Sequence, residues 1–146
     1  MNPQRASLIT LGVADLNRAK AFYGALGWTP KEDLPEAVFY QINGMALGFF
    51  ELKNLARDQG RAKAQLGFGA MTLGQKFETE AEVDAAFAQA LAAGATDLKA
   101  PEKVFWGGYS GYYADPDGHV WEVAFNPFWP LNKDGSFTLP DAPDAG

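Results

Sequence analysis

The chain has 146 residues, with no cysteine and a single histidine, His119. The first absence excludes disulfides, thiolate metal sites and cysteine nucleophiles together. The second leaves no set of imidazoles, the usual nitrogen donors for zinc, nickel or iron. Positive charge is also scarce: 12 Lys and Arg stand against 18 Asp and Glu, a net charge of −6. A nucleic-acid or anionic-membrane partner requires a clustered positive field, and these basic residues are scattered, so neither is expected. No apolar run is long enough to span a bilayer, and residues 1–11 show no secretory pattern, so a cytoplasmic location is expected. What the chain does have is 47% hydrophobic and 14% aromatic residues. That is ample material for one core, and at this length a single domain over residues 1–146 is expected.

The two halves repeat one order of elements. Residues 8–13 read as a strand, followed by Asp15 as N-cap of a helix with Leu16, Ala19, Tyr23 and Leu26 at helical spacing, ended by Gly27. Residues 37–42 and 45–52 read as strands joined by Asn43-Gly44, a dipeptide suited to a two-residue hairpin turn with positive φ at both positions. In the second half, residues 69–73 read as a strand, and Thr79 with Glu82 forms a capping box before a helix with Val83, Phe87, Ala90 and Leu91 on one face. Gly94 ends that helix. Strands are expected at 97–100, 108–114 and 119–125, with Asp115-Pro116-Asp117-Gly118 as a tight turn before the last. The polar stretch 53–66 reads as a linker between a module at 6–52 and one at 67–126. An arm follows at 127–146, with its last residues, from 140 on, frayed.

These features resemble the vicinal oxygen chelate superfamily, which groups glyoxalase I, the bleomycin resistance proteins and extradiol dioxygenases. The resemblance rests on Leu11-Gly-Val-Ala-Asp15-Leu16 with Phe22-Tyr23-Gly-Ala-Leu-Gly27-Trp28, on Asp115-Pro116-Asp117-Gly118 with Trp121-Glu122-Val123, and on the duplicated order of elements. It implies an α+β fold of two βαβββ modules whose curved mixed sheets enclose a cleft, assembled as a homodimer. Metalloenzymes of this family usually place two His and one or two Glu on cleft-facing strands. Here the first such position is Leu8 and the second falls near Gly69 or Ala70, so both histidines are missing. Glu51 and Glu122 match the carboxylate positions. Two carboxylates alone hold at most Mg²⁺ or Mn²⁺ weakly, so no cofactor is expected.

Strand alternation places Val120 and Ala124 beside Glu122 on the cleft side, and Trp121, Val123 and Phe125 in the core. His119 then points away from Glu122. By the same alternation Glu51 shares a face with Leu47 and Phe49, and Leu8 with Thr10. Phe39, Gln41, Trp106, Tyr109 and Tyr112 are expected near the cleft mouth, with Phe128 and Trp129 reaching it from the arm. Aromatic walls with a few polar groups suit a flat, partly apolar ligand. The leading expectation is therefore metal-independent binding or sequestration of a hydrophobic or aromatic small molecule. The alternative is a glyoxalase-type lyase or isomerase with Glu122 as base and Glu51 as acid or metal ligand. A third reading is a dimeric interaction module with a filled cleft.

Overall fold

The computed structural model describes residues 4–68 and 70–141. In the first module β1 (Leu8–Val13) leads into α1 (Leu16–Ala25), then β2 (Glu32–Asp33), β3 (Ala37–Ile42) and β4 (Met45–Glu51). After α2 (Leu52–Asp58), the second module repeats the order with β5 (Thr72–Phe77), α3 (Glu80–Ala92), β6 (Thr96–Lys103), β7 (Tyr109–Ala114) and β8 (Val120–Phe125). Each module is a four-stranded sheet, ordered β1-β4-β3-β2 and β5-β8-β7-β6, in which the first strand pairs in parallel with the last. The expected pair of βαβββ modules with mixed sheets is the observed architecture.

Local signals explain most of the elements. The Asp15 side chain accepts from the Arg18 N–H at 3.1 Å to start α1, and Thr79 Oγ1 accepts from the Glu82 N–H at 3.1 Å to start α3. Each satisfies a donor that the helix itself leaves unpaired. α1 buries Ala19, Phe22 and Tyr23, and α3 buries Val83, Phe87 and Ala90. These residues join Leu11, Val13, Phe49, Trp121 and Val123 in one continuous core shared by both modules.

Several boundaries differ from the sequence reading. Residues 52–58 form α2 instead of a strand end and linker, because Glu51 turns the chain and caps a helix. β5 begins at Thr72, not at 69, since its parallel ladder starts where Thr72 meets Val120; residue 69 lies outside the described residues. β6 runs to Lys103 with register shifts on either side of Lys99, and its Pro101 is tolerated because β6 is an edge strand. The short β2 carries no apolar alternation to reveal it. At the Asn43-Gly44 hairpin only Gly44 has positive φ, 78°, so the turn needs one left-handed residue, not two.

A polar seam locks the modules together. Tyr23 Oη donates to Asp115 Oδ2 at 2.7 Å and accepts from Trp121 Nε1 at 3.0 Å, all within the core. Asp115 Oδ1 accepts from the N–H groups of Asp117 and His119 at 2.9 and 2.8 Å. Asp117 Oδ1 in turn accepts from the Ala14 N–H at 2.8 Å and from Arg18 Nη2 at 2.7 Å. The turn of the second module is thus seated on the start of α1 in the first, which fixes the distance between the end of β1 and the start of β8.

All five tyrosines are pushed above their ordinary range. Burial dominates for Tyr23, Tyr40, Tyr112 and Tyr113, with Asp115 adding to it at Tyr23 and Tyr113; for Tyr109 the hydrogen bond to Asp84 leads. A phenol whose folded pKa exceeds its unfolded value of about 10 holds its proton more tightly when folded. Its stabilisation is complete below that unfolded value and is lost as the pH climbs through the folded one. An alkaline titration followed by near-ultraviolet phenolate absorbance is therefore expected to show little ionisation near pH 10, with the signal appearing together with unfolding. A free titration of several tyrosines at about pH 10 in folded protein would contradict this.

Candidate functional site

The side of each sheet that faces away from the helices is set by strand register. Leu8 opposes Ala46 at the start of one parallel ladder, and Thr72 opposes Val120 at the start of the other. Two residues further on, Thr10 opposes Gly48, while Gly74 opposes Glu122. The counterpart of Glu122 in the first module is therefore Gly48, not Glu51.

The predicted residues separate accordingly. Glu51 closes β4 and caps α2: Oε1 accepts from the Lys53 N–H at 3.3 Å and Oε2 from the Asn54 N–H at 3.2 Å. Both carboxylate oxygens are thus engaged by the backbone, which corrects its assignment as acid or ligand beside Glu122. Phe49 is also corrected. It is fully buried on the helix side and stacks on Tyr23 at 4.8 Å between ring centroids. Tyr109 shares that side of β7 with Tyr113 and donates to Asp84 Oδ1 of α3 at 2.7 Å, so it braces the helix and does not face the cleft.

On the opposite side of β7, Tyr112 lies across from Glu122 and donates to its Oε2 at 2.9 Å. This half-buried phenol and carboxylate meet on the open face, a pairing that the sequence reading did not single out. Thr10 and Phe39 flank Gly48, with the Phe39 ring across the glycine and edge-on to Phe50 at 6.0 Å. Leu8 is exposed at the strand start. Gln41 spends its amide on the carbonyls of Ile42 and Met45, holding the hairpin. Trp106 folds onto Gly108, where a Cβ would lie 1.7 Å from Cζ3. In the arm, Phe128 is exposed and abuts Gly107, while Trp129 packs on Phe137 and receives Lys76 Nζ at 5.0 Å from its ring centroid.

A concavity opens at the module seam. A cavity of about 440 Å³ lies between the end of β1 (Thr10, Leu11, Gly12), the inner face of α2 (Leu52, Leu55) and the start of β8 (Val120). Leu66, Phe68, Met71 and Leu73 complete the apolar wall, and Gln59, Arg61 and His119 supply polar groups beside Thr10. Its size lies within the usual range for small-molecule sites. Of the predicted ligand residues only Thr10 lines it. Phe39 lines a separate open groove of about 850 Å³ with Leu34, Phe50 and Arg57.

His119, read from sequence as pointing away from Glu122, forms part of the cavity wall. Its Nε2 lies 2.7 Å from the Gly12 carbonyl oxygen, and a carbonyl only accepts, so Nε2 carries the proton. The Phe68 ring meets it edge-on at 4.9 Å. The signals that could have found this wall were the Leu52/Leu55 spacing of a short helix and the apolar residues recurring between Leu66 and Leu73.

The divalent metal of the resembling metalloenzymes does not fit here. Among the described residues no three His, Cys, Asp or Glu side chains gather as a ligand set. The row through Glu122 holds Gly74 and Tyr112, and the matching row holds Thr10, Gly48 and Phe39. One carboxylate and a phenol supply fewer donors than a protein-held transition ion wants. Among the described residues no helix is long and apolar enough to cross a membrane.

No curated protein matches the chain. Among solved structures it resembles a glyoxalase-related enzyme from Fulvimarina pelagi, with 41% identity, a TM-score of 0.89, and coverage of 95% of this chain and 100% of that one. It also resembles a protein of unknown function from Agrobacterium tumefaciens str. C58, at 30% identity and TM-score 0.69, covering 86% and 97% of the two chains. A lactoylglutathione lyase from Agrobacterium tumefaciens matches at 25% identity and TM-score 0.69, over 90% of this chain and 100% of that one. A family model for the glyoxalase/bleomycin resistance protein/dioxygenase superfamily matches residues 5–123. With that match spanning most of the chain and the paired βαβββ modules to support it, the chain belongs to this superfamily.

Proposed function

We propose that the protein binds a hydrophobic or aromatic small molecule in the cavity at the module seam, without needing a metal. The observation that carries this reading is the cavity itself: about 440 Å³ walled mainly by Leu, Met and Phe, with a few polar groups to orient a ligand. Such a ligand gains affinity by removing apolar surface from water, at about 25 cal/mol per Å². Two of the walls, Phe68 and Met71, are 46% and 47% exposed, apolar surface that a ligand would cover.

Ala70 is exposed at the cavity rim, so a large ring there fills the cavity without entering the core. Ala70→Trp is expected to weaken binding of a naphthalene-type probe at least about tenfold, a loss of about 1.4 kcal/mol, with an unchanged melting temperature in ligand-free protein. Isothermal titration calorimetry checks this. Unchanged affinity would place the ligand elsewhere.

A second reading is favoured by the Tyr112–Glu122 hydrogen bond. In it, a half-buried carboxylate on the open sheet face serves as the base of a glyoxalase-type isomerase or lyase, and the similarity to a glyoxalase-related enzyme supports it. Glu51, held as a helix cap, has no part in that chemistry. The homodimer is likewise a proposal, and the exposed Leu8 on the open face of the first sheet supports it.

A further inference from the structure

We infer that the ligand of the seam cavity carries a negative charge, most simply a carboxylate on an apolar body, and that Arg61 is the residue that recognises it. This rests on the reading of the cavity as a small-molecule site. Among the described residues Arg61 is the one permanently charged side chain in the wall, and no Asp or Glu lines it, although acidic residues outnumber basic ones 18 to 12 in the chain. The nearest acid in sequence, Asp58, lines the separate groove beside Phe39.

Among the described residues the guanidinium is held and has no counter-ion. The backbone N–H of Arg61 donates to the Ala56 carbonyl at 2.8 Å. Its Nε donates to Gln59 Oε1 at 3.0 Å, and Nη2 donates to the same oxygen. Among the described residues Nη1 then has no protein acceptor, and no carboxylate pairs with Arg61. Because Gln59 spends its oxygen on Arg61, its amide NH₂ remains a donor. Arg61 and Gln59 thus present donors, one of them charged, at the edge of an apolar chamber. A planar anion is the group that satisfies such a pair, and guanidinium and carboxylate geometries match. A neutral amide of the same shape offers one carbonyl acceptor, without the charge and the second oxygen that match the guanidinium fork.

The test compares two probes of equal shape, 2-naphthoate and 2-naphthamide, titrated by calorimetry into the full chain and into Arg61→Gln. Naphthoate is expected to bind the unmodified protein at least about tenfold tighter than the amide, equivalent to about 1.4 kcal/mol. The preference should shrink as ionic strength rises. Arg61→Gln is expected to abolish the preference by weakening naphthoate far more than the amide, whose retained binding also shows that the variant is folded. Equal affinities in the unmodified protein, or a preference that survives in Arg61→Gln, would overturn the inference while the cavity remains a binding site. Failure of both probes to bind would overturn the underlying reading, and this inference with it.

Discussion

Asp115→Ala is expected to remove about 3–5 kcal/mol of folding stability. The carboxylate is 3% exposed and serves three donors: the Tyr23 hydroxyl and the N–H groups of Asp117 and His119. Alanine leaves the Tyr23 hydroxyl without its acceptor in the core and takes the acceptor from two half-buried N–H groups of the turn; a donor stranded in the interior costs about 1–3 kcal/mol before any relaxation. The same oxygens hold the 115–119 turn against β1 and α1, so the loss also loosens the seam that shapes the cavity. Urea unfolding followed by tryptophan fluorescence measures it, and for a chain of this length the melting temperature should fall by roughly 10 °C. Adding Tyr23→Phe to the alanine variant should cost less than Tyr23→Phe alone, because its acceptor is already gone. A loss below about 1 kcal/mol would mean that the seam is not held as described.

Phe49→Ala is expected to cost a similar amount, about 3–5 kcal/mol, from lost burial and the cavity left behind. The ring is fully buried, stacked on Tyr23 and edge-on to Tyr40 at 5.8 Å. It lies on the helix side of β4, so the variant should lose stability while keeping its affinity for a naphthalene-type probe at temperatures where it stays folded. Denaturant curves paired with calorimetry separate the two effects. Reduced affinity with near-normal stability would put Phe49 in the ligand wall after all.

The placement of Phe49 on the helix side shows which part of the site was legible in the sequence. Strand alternation correctly grouped Leu47, Phe49 and Glu51 on one side, but alternation fixes which residues share a face, not which face is inside. An assumed cleft role for Glu51 therefore carried Phe49 to the wrong side. The role of Glu51 was hidden for a related reason. A residue at the end of a strand and the cap of the following helix look alike until the helix itself is identified, and the seven-residue α2 has only Leu52, Leu55 and Ala56 as an apolar signal. Where capping chemistry was explicit, at Asp15 and at Thr79 with Glu82, the helices begin where the sequence indicates. The Asp115-Pro116-Asp117-Gly118 turn was equally plain. Its partners in the first module were not, because contacts across the seam join residues about a hundred positions apart. The same distance hid the cavity, whose wall draws on β1, α2, the segment before β5 and the start of β8.

The pairing of Tyr112 with Glu122 follows from the hairpin of β7 and β8, a local and therefore readable register. Its match in the first module is Gly48 beside Thr10, so the duplicated fold no longer carries a duplicated set of donors. This asymmetry separates the chain from the metalloenzymes it resembles, and it is the reason the apolar seam is the small-molecule site proposed above.

The most direct test of that account is methyl-resolved NMR of Leu- and Met-labelled protein titrated with 2-naphthoate. The account predicts saturable shifts at Leu11, Leu52, Leu55, Leu66, Met71 and Leu73, the Leu and Met methyl groups of the cavity wall. Leu47, buried in the core on the helix side of β4, should not move. Saturable shifts confined to residues outside that wall, or no shifts at all, would contradict it.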